Sequence, residues 1–166
     1  MKKTSLVILS FVFAIIANAQ ITKVEIMATG LTCSMCSNAI NKQLKTIDEV
    51  ENVDIDLNKN LFIVRLKNNN TLSPKTFKDK VEKAGFFVGS MVLFINFRNQ
   101  TVEDNKQIDK YIFIDTKAQT LNGVAKVRVL DKGYVTTKEH KKLVKSFAKY
   151  TTYSKDNEGV FHLKTI

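Results

Sequence analysis

The sequence predicts an α+β fold, on three observations. Short stretches alternate apolar with polar residues, as half-buried strands do. Two segments repeat apolar residues at i, i+4 and i+7, as amphipathic helices do. The two kinds succeed one another as βαββαβ between Ile21 and Phe97. Two strand–helix–strand units in series bury one face of a four-stranded antiparallel sheet under two helices, the ferredoxin-like sandwich.

Ile21 to Ala28 sets Ile21, Val24 and Ile26 among Thr22, Lys23 and Glu25, a first strand broken by Thr29-Gly30-Leu31-Thr32. From about Ser34 to Ile47 a helix carries the stripe Ile40, Leu44, Ile47. Val50, Val53, Ile55 and Leu57 alternate with acidic residues in a second strand. Asn58-Lys59-Asn60 turns the chain, and Leu61 to Leu66 returns as the third. Ser73-Pro74 opens a second helix, with serine as cap and proline at the first helical position. Its stripe is Phe77, Val81 and Ala84, and Gly85 stands where a C-terminal glycine cap belongs. Phe86 to Phe97 is a long apolar strand.

Residues 98–110 are polar and read as a linker. A small ββαβ region occupies 111–166. Its strands are Tyr111–Ile114, Val124–Leu130 and Gly159–Ile166. Thr136 and Glu139 form a capping box for a helix that turns Leu143, Val144, Phe147 and Tyr150 inward. This piece is near the lower size limit for independent stability and is expected to lean on the first domain or on a second copy.

The first nineteen residues read as a secretory signal peptide. Lys2 and Lys3 precede an apolar run from Leu6 to Ile16, and Ala17-Asn18-Ala19 has the small-x-small form of a cleavage site. Cleavage after Ala19 leaves Gln20 first and 166 − 19 = 147 residues. The run is shorter than the ~20 residues of a spanning helix. The expectation is a periplasmic or secreted protein with no membrane span once the leader is gone.

The chain holds 26 Lys and Arg against 16 Asp and Glu, a net charge of +10. Losing Lys2 and Lys3 lowers it to +8. The surplus lysines are scattered, and an exported protein rarely meets nucleic acid, so they read as a solvated basic surface. No Ser/His/Asp set or paired carboxylates stand out, so no catalytic case arises. His140 and His162 are expected at the surface or partly buried, and Met27 and Met91 in the core.

The chemistry concentrates in Cys33-Ser34-Met35-Cys36, which holds the only 2 cysteines. A disulfide scaffold would spread several cysteines along the chain. A bond across so short a loop would add little stability. The pair lies where the first strand hands over to the first helix. A helix N-terminus favours thiolate over thiol, the form that binds metal. Cysteines at i and i+3 can aim at one point, and Gly30 lets the loop bend. Soft thiolates select Cu(I), with Zn(II) and Hg(II) as competitors. Zn(II) prefers four ligands, and this segment supplies two. Met35 is available as a third, thioether ligand, although a residue between the cysteines more often points to solvent.

Gly30-Leu31-Thr32-Cys33-Ser34-Met35-Cys36, in this βαββαβ setting, resembles the heavy-metal-associated domain, whose signature is Gly-Met-Thr-Cys-x-x-Cys. Leu31 replaces the usual methionine at a position that packs inward in the family. The resemblance covers about 75 residues. It implies metal ligation by Cys33 and Cys36, a residue beside the metal at Phe86, and exchange with a metal-donor or metal-acceptor protein such as a transporter. The function expected is a non-enzymatic Cu(I) chaperone or scavenger. A periplasmic dithiol–disulfide oxidoreductase is the alternative, as is a mercury or zinc scavenger using the same site. The redox alternative is weakened because the only proline, Pro74, is already a helix starter and no Trp precedes the motif.

Overall fold

The computed structural model describes residues 19–153 and 159–166. The expected leader, residues 1–18 and most of the cleavage motif, lies outside the described residues. The chain runs β1 (Gln20–Thr29), α1 (Ser34–Leu44), β2 (Val50–Asp56), β3 (Leu61–Leu66), α2 (Pro74–Lys83), β4 (Phe87–Val102), β5 (Lys106–Ile108), β6 (Tyr111–Phe113), β7 (Gln119–Val129), α3 (Thr137–Ser146) and β8 (Phe161–Thr165).

The first six elements form the expected ferredoxin-like unit. β1 lies between β3 and β4, antiparallel to both, and β2 flanks β3. Ile40 and Leu44 from α1 and Phe77 and Val81 from α2 are fully buried with Val24, Ile26, Phe62 and Val64 of the sheet. Ser73 and Pro74 occupy the cap and first position of α2, and Gly85 stands just past its end with φ +88°. That left-handed conformation costs glycine nothing. A register shift between Ile21 and Lys23 explains how two residues three apart, Ile21 and Val24, both face the core. α1 stops at Leu44 rather than Ile47, yet Ile47 stays buried just beyond the helix end.

The four strands belong to one eight-stranded sheet, ordered β2-β3-β1-β4-β7-β8-β6-β5. The segment expected as a connection, 98–110, instead continues β4 to Val102 and adds β5. Asn99 takes φ +49° where the β4–β7 register shifts, between Phe97 and Gln100. The polar residues at this irregularity hide a strand whose backbone pairs with Leu121, Thr120 and Gln119. Residues 111–166 keep the expected ββαβ order as β6, β7, α3 and β8; β5 adds one strand ahead of them, and the region is hydrogen-bonded to the first unit along β4. It carries its own cluster on the opposite face, where Ile112, Ile114 and Leu130 meet Phe147, Tyr150 and Tyr153, with Leu143 and Val144 against them.

Three further expectations change. Met91 is buried, but Met27 is 43% exposed. Alternation in β1 turns Ile26 and Ala28 toward the helices, so Met27 faces the other side. Thr136 caps α3 by accepting from the Glu139 N–H, but the Glu139 carboxylate turns away to pair with Arg128 at 2.7 Å. His162, expected at or near the surface, is buried. Its Nδ1 meets Asp131 at 2.7 Å and its Nε2 meets the Thr152 hydroxyl at 3.2 Å. Parallel pairing with β6 and antiparallel pairing with β7 enclose β8 on both sides.

Candidate metal centre

The site grows from the end of β1. Thr29 closes the strand, its hydroxyl donating to the Phe87 carbonyl at 3.3 Å. Gly30 then takes φ +86°, a conformation that other residues adopt only with strain. A Cβ there would meet Phe86 at an ordinary 3.9 Å, so the need for glycine is conformational rather than steric. Phe86 thus stands at the Gly30 end of the loop. Leu31 and Phe86 are half-buried against the core and tie the loop down at that end.

Cys33 is the N-cap residue of α1, in extended conformation, and its side chain caps nothing. Cys36 sits one turn in, its N–H donating to the Cys33 carbonyl at 3.1 Å. This turn sets the two side chains on the same face. Their Sγ atoms are 2.8 Å apart, and both thiols are free. Cys33 is exposed and Cys36 half-buried. The first turn of α1 holds no acidic residue to offset the positive end of the helix. The Cys36 thiol is lowered from its ordinary pKa, first by the hydrogen bond from Cys33 and next by the Thr32 backbone. Desolvation opposes this, and the Cys33 backbone and Thr32 side chain assist. Thr32 contributes although its residue type does not suggest a metal ligand; its signal in the sequence is its place in the motif, directly before the first cysteine.

The donors suit a soft ion. Two metal–sulfur bonds of about 2.3 Å place the sulfurs about 3.8 Å apart at a tetrahedral angle and about 4.6 Å apart in a line. Cys33, exposed and uncommitted to capping, can swing out by the difference. Met35 points to solvent, 81% exposed. The structure does not bring either histidine to the cysteines' turn: His162 is enclosed on β8 and His140 lies on α3. Among the described residues, no group of three or more His, Cys, Asp and Glu side chains is placed to hold a metal. A four-ligand zinc set is thus missing from that part of the chain.

A dithiol at the start of the first helix of a βαββαβ unit defines a class of small metal-binding domain. Residues 25–87 match the model of the heavy-metal-associated domain, and the chain belongs to that family through this domain. Similar solved structures include the yeast copper transporter domain Ccc2a, described in apo and Cu(I)-loaded states. It is 34% identical, with 39% of this chain and 88% of that one covered and a TM-score of 0.36. A copper binding domain from HMA7, a P-type ATPase, is 29% identical over 39% of this chain and 86% of that one, TM-score 0.36. The N-terminal domain of a potential copper-translocating P-type ATPase from Bacillus subtilis is 28% identical, covering 40% and 82%, TM-score 0.36. Comparison with curated proteins finds no match. The domain's function is heavy-metal binding. No described helix is long and apolar enough to cross a membrane.

Proposed function

We propose that this chain is an exported Cu(I) chaperone or scavenger, which binds one ion as a dithiolate between Cys33 and Cys36 and passes it on by thiolate exchange. The observation that carries this is the pair of free, accessible thiols converging at the positive end of α1. Cu(I) is the ion best served by two soft donors; Zn(II) would need a second pair, such as a second copy of the chain would bring.

Each thiol gives up one proton as its sulfur bonds the ion. Cys36, whose thiol is already lowered, gives up its proton more readily than an ordinary thiol. Handover reverses this one sulfur at a time. A partner's thiolate bonds the ion, the more exposed Cys33 leaves, and Cys36 leaves in turn when a second partner donor arrives. The partner is then a donor or acceptor protein such as a transporter. No step needs an enzyme's acid or base. Residues 1–19 act as the leader, and 20–97 carry the metal outside the cytoplasm, in the periplasm or the medium. In that compartment the pair must be kept reduced, since joining the two sulfurs would occupy both donors.

The test is a titration of the reduced protein with Cu(I) against a competing chelator, with Cys33→Ser and Cys36→Ser alongside. The expected result is one ion per chain, with each variant at least a hundredfold weaker. Wild-type binding no tighter than the variants would sink the proposal. Fractionation of expressing cells, with N-terminal sequencing, tests export. Gln20 as first residue supports it, and an intact Met1 in the cytoplasm opposes it.

A further inference from the structure

The chain beyond β4 builds a second feature at the side of the heavy-metal-associated domain. A cleft of about 670 Å³ opens between the end of the sheet that leads into the cysteine loop and the segment 132–141. A volume of roughly 300–1,000 Å³ is the size of a small-molecule site. Thr29, one residue before Gly30, stands at its lip. Neither region makes the cleft alone: β1, α2 and β4 supply one wall, and the 132–137 segment with the start of α3 supplies the other.

The walls differ in chemistry. Val88 and Val135 are buried there, while Phe87 is 69% exposed. A large aromatic left in solvent at a concave apolar wall offers a stacking surface that the core does not use. Across from it stand Lys132, His140 and Lys141. Among the described residues the one carboxylate lining the cleft, Glu82, is already paired with Lys78 at 2.9 Å. The nearby Glu139 is taken by Arg128. Among the described residues, no acidic group pairs with Lys132 or Lys141. Two uncompensated ammonium groups beside an exposed aromatic call for a ligand with a negative end and an apolar body.

We propose that this cleft binds a small organic carboxylate, with the carboxylate on Lys132 and Lys141 and the apolar body against Phe87, Val88 and Val135. The C-terminal region thereby gives the metal domain a second ligand site. The site uses neither cysteine, so it stands or falls separately from the Cu(I) reading.

The experiment is an NMR titration of the full metal-free, reduced chain, using benzoate, benzamide and inorganic phosphate as probes. The expected result is saturable benzoate shifts with a millimolar or tighter Kd, centred on the amides of Thr29, Phe87, Val135 and Thr137. Benzamide, which lacks the charge, is expected to bind at least tenfold more weakly, and so is phosphate, which lacks the apolar body. The double variant K132E/K141E should weaken benzoate at least tenfold while its thermal unfolding stays near wild type; Phe87→Ser should weaken it severalfold. Cys33→Ser should leave benzoate binding unchanged. No saturable benzoate shifts, equal binding of benzoate and benzamide, equal binding of phosphate, or benzoate binding unaffected by K132E/K141E would each overturn the proposal.

Discussion

Gly89 lies in β4 where the backbone runs past Thr29, the residue that leads into the cysteine loop, and replacing it with alanine tests how tightly that end of the sheet is packed. The φ of Gly89 is not in the left-handed region, so alanine brings no backbone strain and the steric effect stands alone. A Cβ at this position would lie 2.5 Å from the Thr29 Cγ2 and 3.5 Å from the Met27 carbonyl oxygen. Carbon atoms rest at about 3.5–4.0 Å, so the methyl group is roughly 1.0–1.5 Å too close. The neighbour is a short β-branched side chain, stiff at χ1 and held by its hydroxyl's bond to the Phe87 carbonyl, and it cannot fold away as a lysine tip can. Overpacking of this kind costs about 1–3 kcal/mol. For a chain of this size, a loss of about 2 kcal/mol lowers Tm by about 4–8 °C. The assay is urea unfolding followed by circular dichroism for wild type, Gly89→Ala, Thr29→Ser and the double variant. Thr29→Ser removes Cγ2 but keeps the hydroxyl that donates to the Phe87 carbonyl. The double variant should therefore be more stable than the sum of the single costs by about 1 kcal/mol or more. A Gly89→Ala cost under about 0.5 kcal/mol, or additivity within about 0.3 kcal/mol, would refute the reasoning.

Three other perturbations have definite expected outcomes. His162→Ala removes a buried ring that bonds Asp131 and Thr152 and meets Tyr153 edge-on at 5.1 Å, and should cost about 2–4 kcal/mol in urea unfolding; a loss under about 1 kcal/mol would contradict this role. Asp104 has its carboxyl lowered, chiefly by the Tyr150 hydroxyl, so it binds a proton less readily folded than unfolded. Its stabilising contribution is thus present above about pH 4 and is lost as pH falls through the lower folded value. Acid unfolding of Asp104→Asn should depend less steeply on pH below about 4 than wild type, and parallel curves would count against it. The rate of Cys36 alkylation by iodoacetamide should rise with pH to a midpoint below that of an ordinary thiol. Cys33→Ala, which removes the largest cause of that lowering, should move the midpoint upward; an unmoved midpoint would show that the cysteine pair does not set it.

The parts of the fold legible in the sequence are those written in neighbouring residues. Leu61 to Leu66 alternates after a compact turn, and β3 has those bounds. Ser73-Pro74 and Gly85 bracket α2 because cap and terminator act within one turn of the helix. The cysteine pair is legible for the same reason: a glycine bend, an extended cap residue and one helical turn bring Cys33 to Cys36 without help from distant chain. The features that escape depend on distant partners. Asn99, Gln100 and Thr101 read as a connection because nothing local shows that Gln119 to Leu121 returns to pair with this stretch. His162 reads as a surface or partly buried residue until β8 is inserted between β7 and β6, and Asp131 then meets it across 31 positions of sequence. The Glu139 carboxylate reads as a cap of its own helix, but Arg128 on β7 outcompetes the local backbone. The cleft beside Thr29 has no sequence signature, because its two walls come from segments more than forty residues apart.

That Cys33 and Cys36 together hold one Cu(I) is tested most directly by metal analysis and thiol counting on the full chain, expressed with copper, zinc and mercury available and purified without air. The expected result is about one copper per chain, two thiols protected from alkylation until a chelator removes the metal, and no bound copper in Cys33→Ser or Cys36→Ser. Protein that carries zinc or mercury in place of copper, or that binds no metal while both thiols are free, would contradict it.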